Sequence, residues 1–70
     1  MTTPIFYIYY TKTGKTYSIA ADSVEDAVIV FLQIIFGNKY REKSVTVSDV
    51  KSYNLMIKSN IGVTYYYKLS

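Results

Sequence analysis

Residues 22–38 read DSVEDAVIVFLQIIFGN, and within them AVIVFLQIIF (27–36) has one polar side chain in ten positions. Such a run is either a long buried strand or a helix, and the two readings build different proteins. Val28, Ile29, Val30, Ile34 and Ile35 speak for a strand, because β-branched side chains lose rotamer freedom against a helical turn. The ends speak for a helix. Asp22 followed three positions on by Glu25 forms a capping box, and Ser23 with Asp26 is the alternative register. Either way carboxylates stand in the first turn, where the helix dipole stabilises them. Gly37 and Asn38 supply a C-terminal stop. The run is also long for a strand, so the spacing predicts a helix over 23–36.

On that helix Val24, Ala27, Val28, Phe31, Ile34 and Ile35 make a stripe that would cover a sheet, while Glu25, Asp26 and Gln33 face outward. Ile29, Val30, Leu32 and Phe36 remain on the flanks, in a chain with no second helix to meet them. Left exposed, they would form an apolar patch of a size monomers rarely carry. Ile29, Val30, Leu32 and Phe36 are therefore the expected self-association or partner face, with a symmetric homodimer favoured because two-fold pairing is the commonest closed arrangement. The alternative cover is the loop at 38–43, folded over the flank.

Around the helix the chain reads as strands. PIFYIYYT (4–11) and TYSIAA (16–21) flank a short loop whose Gly14 suits a left-handed residue closing a bulged turn. That turn would set Tyr9 opposite Tyr17, Tyr7 opposite Ile19 and Ile5 opposite Ala21, with these six side chains on the core face. Phe6, Ile8 and Tyr10 would then share the outer face with Thr16, Ser18 and Ala20. After the basic loop NKYREK (38–43), Val45 and Val47 alternate with Thr46 and Ser48 as a short strand. A last hairpin turns at SNIG (59–62), with Gly62 left-handed, Ile57 opposite Tyr65, Leu55 opposite Tyr67 and Tyr53 opposite Leu69. The expected fold class is α+β: a single helix packed on one face of a mainly antiparallel sheet, in the order ββαβββ, as one compact domain over 1–70. Ile19, Phe31, Ile35, Leu55, Ile57 and Tyr67 are its expected core.

Composition narrows the function. The 70 residues contain no cysteine and no histidine. Disulfides, structural zinc, Cys nucleophiles, Ser-His-Asp triads and a histidine general base are thereby excluded. GKT (14–16) lacks the earlier glycine and following helix of a phosphate-binding loop. Asp22, Glu25 and Asp26 cluster at a helix start, where capping accounts for them. No nucleophile has an activating partner, so neither catalysis nor a cofactor nor a metal is expected. MTTPIF carries no basic segment followed by an apolar one, and the apolar run of ten falls short of the roughly 20 residues a membrane span needs. A cytoplasmic protein without membrane contact is the expectation.

The net charge is +3, with nine tyrosines and three phenylalanines. Lys58, Lys68, Tyr66 and Met56 share the outer face of the second hairpin, with Tyr10 a further candidate for that face, and Lys39, Arg41 and Lys43 form the densest basic patch. Tyrosine rings on a sheet can stack bases while lysines track phosphates, so Lys58, Lys68, Tyr66, Lys39, Arg41 and Lys43 are the candidate face for an anionic partner. The plainer reading is that tyrosine suits half-buried strands and that the 39–43 loop is solvated beside the helix C-terminus. Small cysteine-free chains rich in Tyr, Ile, Lys and Asn are common among accessory proteins of bacterial viruses, some of which bind and inhibit host proteins. The expected function is a self-associating protein-interaction module of that kind, the alternative a basic single-stranded nucleic-acid binder.

Overall fold

The computed structural model describes residues 3–70. Met1 and Thr2, the start of the stretch read above as carrying no leader, lie outside them. Five strands and one α-helix follow in the order β1 (Ile5–Tyr10), β2 (Lys15–Ala20), α1 (Val24–Phe36), β3 (Val45–Val47), β4 (Leu55–Ser59) and β5 (Thr64–Leu69). All neighbouring strands are antiparallel, and the sheet runs β2-β1-β4-β5-β3. The class is α+β, with the helix on one face of the sheet. Among the described residues no helix is long and apolar enough to cross a membrane.

The helix starts on Ser23, whose Oγ accepts from the Asp26 N–H at 3.2 Å. Of the two capping registers the structure uses the Ser23–Asp26 one, one residue later than an Asp22 cap. Gly37 ends the helix with φ 59°, its N–H donating to the Gln33 carbonyl. The segment read as a plain loop instead tightens into a 3₁₀ helix, Gly37–Glu42. Its Tyr40 packs against the core, and the Lys43 ammonium sits 4.6 Å from the centre of the Phe36 ring. This segment therefore covers Phe36, as the alternative above anticipated for part of the flank.

The first hairpin corrects the expected register. Tyr10 pairs with Lys15, Ile8 with Tyr17 and Phe6 with Ile19, so the loop has four residues, 11–14, where a three-residue loop was expected. The Gly14 N–H reaches back to the Tyr10 carbonyl at 2.8 Å, and Thr13 Oγ1 accepts from the Lys15 N–H at 3.4 Å. A slip of one residue exchanges the faces of a strand. Phe6, Ile8 and Tyr10 are consequently the buried side of β1, while Tyr7 and Tyr9 point to the opposite face. The chemistry favours this choice. The buried set carries one hydroxyl and the alternative two, and a tyrosine hydroxyl taken from water needs a partner.

The second hairpin follows its expected register from Leu55–Tyr67 to Lys58–Thr64. It departs only at its open end. The Asn54 N–H donates to the Tyr67 carbonyl at 3.1 Å, although Leu55 is the residue paired with Tyr67. Two residues thus oppose one, which is a β-bulge. The Asn54 side chain then continues the ladder: Oδ1 accepts from the Leu69 N–H at 2.7 Å and Nδ2 donates to the Leu69 carbonyl at 2.8 Å. An amide side chain has replaced a peptide group. Tyr53, expected opposite Leu69 in the core, is released to the other face, where its ring lies 5.0 Å from that of Tyr66.

Between helix and sheet lies one apolar cluster in which Phe31, Ile8, Leu55 and Ile57 are the largest fully buried side chains. Phe31 is its hub, with edge-on contacts to Tyr10 (5.7 Å) and Tyr17 (5.4 Å). Of the expected core, Ile19, Phe31, Leu55 and Ile57 are buried, and Ile35 and Tyr67 pack on its margin half-exposed.

Candidate functional site

The helix buries Val24, Ala27, Val28, Phe31 and Leu32. Leu32, read as part of a free flank, is only 6% exposed, whereas Ile34, read as core, is 57% exposed. Successive residues turn about 100° around a helix, so exchanging position 34 for 32 amounts to a rotation of the buried stripe. The four residues expected to form one face are accordingly divided. Leu32 is core, Phe36 is half-buried beneath Lys43, and Ile29 and Val30 are exposed on opposite flanks.

The flank carrying Ile29 opens onto a groove. It is a hollow of about 230 Å³ between α1 and the β5–β3 half of the sheet, lined by Glu25, Val28, Ile29, Leu32, Val45 and Tyr67. It exists because Phe31 seats the helix over β1 and β2, leaving β5 and β3 incompletely covered. Beyond Val45 the same face continues to Val47, 80% exposed. Burial raises the pKa of the Tyr67 hydroxyl, with the Glu25 carboxylate and Tyr65 adding to the effect. The groove is thus apolar along its floor, with Glu25 as the acid in its lining.

At its side the groove meets an incompletely paired backbone. Ser70 N–H donates to the Ser44 carbonyl and Ser48 N–H to the Tyr66 carbonyl, both at 2.9 Å. Alternation along an antiparallel strand then turns the N–H and C=O groups of Val45 and Val47 away from β5. These groups form the sheet edge immediately beside Val45 and Val47, the side chains that extend the groove.

Among the described residues no helix lies over the opposite face of the sheet. Register places Tyr7 and Tyr9 on β1 there, with Met56 and Lys58 on β4 and Tyr66 and Lys68 on β5. Tyr7 lies opposite Lys58, Tyr9 opposite Met56, and Met56 opposite Tyr66. Tyr53 joins through its contact with Tyr66. Tyr10, a candidate for this face in the sequence, is buried beneath Phe31 on the other side. Lys58 stands opposite Thr64, four residues from Lys68, so at about 3.3 Å per residue the two lysine Cα positions are offset by roughly 13 Å along the strand, on either side of Tyr66. Among the described strand residues on this face there is no carboxylate.

Lys39, Arg41 and Lys43 are not brought to that face. They belong to the 3₁₀ turn and its C-cap Lys43, on the helix layer, where Arg41 donates from Nε to the Tyr40 hydroxyl at 3.1 Å and Lys43 covers Phe36. The Arg41 hydrogen bond holds the Tyr40 hydroxyl below its ordinary pKa, Gln33 and the guanidinium charge acting in the same direction. The six cationic and aromatic candidates therefore split into Lys58, Lys68 and Tyr66 on the open sheet and a separate basic turn.

Sequence reasoning missed Tyr7, Tyr9 and Tyr53 on the open face, and Val47 with the groove. The tyrosines carried a usable signal, since a strand offering a two-hydroxyl and a one-hydroxyl face favours burying the latter. The groove carried none, because it depends on where the helix comes to rest. No family model matches the chain, and the searches of curated proteins and of solved structures likewise returned no match.

Proposed function

We propose that this chain is a small, non-catalytic protein-interaction module that self-associates and binds a second protein, acting in the cytoplasm as an accessory protein of a bacterial virus would when it occupies and inhibits a host protein. One observation carries the reading: the apolar groove from Ile29 over Leu32, Val45 and Tyr67 continues to Val47 beside the outward backbone groups of β3. An extended partner segment can pair with such an edge while its side chains enter the groove, a recurring mode of peptide recognition. Glu25 favours a basic side chain on that segment.

The test is affinity capture with the tagged protein, in the presence of nuclease and at raised salt. A protein retained by wild type and lost by Ile29→Glu and Val47→Glu, both exposed and replaceable without opening the core, is the expected result. Equal capture by the variants would sink the groove as the binding surface.

A second reading has its own support in the open face, where Tyr7, Tyr9, Tyr53 and Tyr66 accompany Lys58 and Lys68 without an intervening carboxylate. Aromatic platforms with lysines suit single-stranded nucleic acid. Under this reading the double variant Lys58→Glu/Lys68→Glu abolishes a gel shift with single strands at low salt, and the wild-type shift weakens steeply as salt rises. No shift by wild type with any DNA or RNA at low ionic strength ends it.

A further inference from the structure

The two edges of the sheet differ in how well they are protected. β3 is only three residues long, with outward backbone groups at Val45 and Val47 alone. β2 is a full six residues. Natural edge strands are usually kept apart by a charge, a proline, a bulge or a covering element. β2 has none of these along its middle: Thr16, Ser18 and Ala20 are small, uncharged and exposed.

Hydrogen-bond parity shows which groups are free. Ala21 N–H donates to the Pro4 carbonyl, so in the β1–β2 register the odd residues 15, 17, 19 and 21 exchange bonds with β1. The N–H and C=O groups of Thr16, Ser18 and Ala20 therefore point away from the sheet. Among the described residues none of them has a backbone or side-chain partner there.

We propose that β2 is the seam of a symmetric dimer, in which a second copy of this chain pairs antiparallel along it with Ser18 opposite Ser18. This register alone engages all three outward residues of each copy, Thr16 meeting Ala20 on either side of the central pair. It also matches charge. Lys12 and Lys15 lie at one end of the strand, Asp22 and Asp26 at the other, so antiparallel pairing sets the lysines of one copy against the carboxylates of its partner, where parallel pairing would set like against like.

The helix supplies the third element. Its groove flank, with Glu25, Ile29 and Leu32, faces β5 and β3, so the flank bearing Val30 and Ile34 faces the β2 side. Both are exposed. A two-fold axis perpendicular to the sheet keeps both helices on one face. With strands about 4.8 Å apart and each helix above β1 and β2, the helix axes come to lie roughly 10 Å apart, a normal packing distance. Val30 and Ile34 then meet their copies across the axis. The result is a continuous ten-stranded sheet with both tyrosine faces together on its other side. The inference rests on the self-association in the proposed function and does not involve the groove.

Light scattering on the purified full chain at high micromolar concentration is expected to give about 16 kDa, twice the 8.1 kDa chain. Ser18→Lys places two ammonium groups opposite each other at the axis and is expected to give a folded 8 kDa species by light scattering and circular dichroism. Ser18→Cys covers the case in which the lysine variant fails to fold. Two residues in a hydrogen-bonded pair have Cα atoms about 5.5 Å apart, within disulfide range, so mild oxidation is expected to link the Ser18→Cys copies. Thr16→Cys, displaced from its copy by about 13 Å, is expected not to link with itself but to link when mixed with Ala20→Cys. A wild-type mass of 8 kDa overturns the dimer. A 16 kDa mass with no cross-link at position 18 overturns the seam and returns self-association to another surface. Neither result bears on partner capture through Ile29 and Val47.

Discussion

The β1–β2 and β4–β5 hairpins both end their loops on a left-handed glycine, Gly14 at φ 71° and Gly62 at φ 92°. In both, a hydroxyl just outside or inside the loop accepts a backbone N–H: Thr13 Oγ1 from Lys15 in the first, Ser59 Oγ from Val63 in the second. Yet the first loop spans four residues and the second three. A terminal glycine reports that the loop closes through a left-handed residue without reporting how many residues precede it. What settles the count is the strand pattern behind the loop. In β4 the face with Met56 and Lys58 is plainly the wet one, so only one register buries Leu55 and Ile57. In β1 both faces are apolar, Ile5, Tyr7 and Tyr9 against Phe6, Ile8 and Tyr10, and the pattern leaves the register open.

Deleting Lys12 is the strongest way to break this comparison. The deletion leaves three residues between Tyr10 and Lys15, so a loop that keeps four must pair Tyr10 with Thr16, which turns either Phe6 and Ile8 or Tyr17 and Ile19 outward and forfeits roughly 1.5–3 kcal/mol for each side chain. A loss of roughly 3–6 kcal/mol in chemical denaturation is expected. Full stability in the deletion variant would show that the loop does not set the register.

Paired truncations sharpen the same point. Ile8→Ala removes a fully buried side chain and is expected to cost about 2–5 kcal/mol, as is Leu55→Ala in the second hairpin. Tyr7→Ala, on the open face, is expected to cost well under half as much. Reversal of that order in measured unfolding free energies would restore the register in which Tyr7 is core.

Substituting alanine for the two glycines tests what the hairpins share. A Cβ at either position meets open space, so the cost is conformational alone. Gly14→Ala and Gly62→Ala are each expected to lose about 1–2 kcal/mol, as left-handed L-residues do. No change at either site would mean that its loop relaxes into another turn.

The smallest expected effect appears at alkaline pH, where Tyr67 of β5 contrasts with Tyr40 of the 3₁₀ turn. Burial raises the Tyr67 pKa, so its contribution is complete below the unfolded value of about 10 and is lost as pH rises through the folded value. The Arg41 hydrogen bond lowers the Tyr40 pKa, so its contribution grows as pH rises toward that value. Tyr67→Phe is expected to make the alkaline fall in stability shallower and Tyr40→Phe to make it steeper. Parallel curves for both variants and wild type would remove any titration role.

Local chemistry made much of this architecture legible in advance. The caps around 23–36 outweighed five β-branched residues, and the structure has the helix. Alternation at 45–47 and around Leu55 and Ile57 marked strands, and the polar face of β4 specified the second register down to Leu55. These features depend on neighbours a few residues away, which a sequence contains. The candidate surfaces were less legible because they depend on contacts between elements. Lys58, Lys68, Met56 and Tyr66 were correctly grouped by alternation. Tyr7 and Tyr9 joined them only when the first loop took a fourth residue, and Tyr53 only when Asn54 replaced a peptide group in the ladder.

The chain by itself determined one helix, five strands, their succession ββαβββ along the chain, both left-handed glycines and the absence of cysteine and histidine chemistry. Tertiary structure decided the face of β1 that is buried, the rotation of α1 that exchanged Ile34 for Leu32 in the core, and the groove beside Val45. The reason is the same in each case. A strand or helix with apolar side chains on more than one face has several nearly equivalent ways to pack, and only the surfaces of the other elements, Phe31 between Tyr10 and Tyr17 above all, select among them.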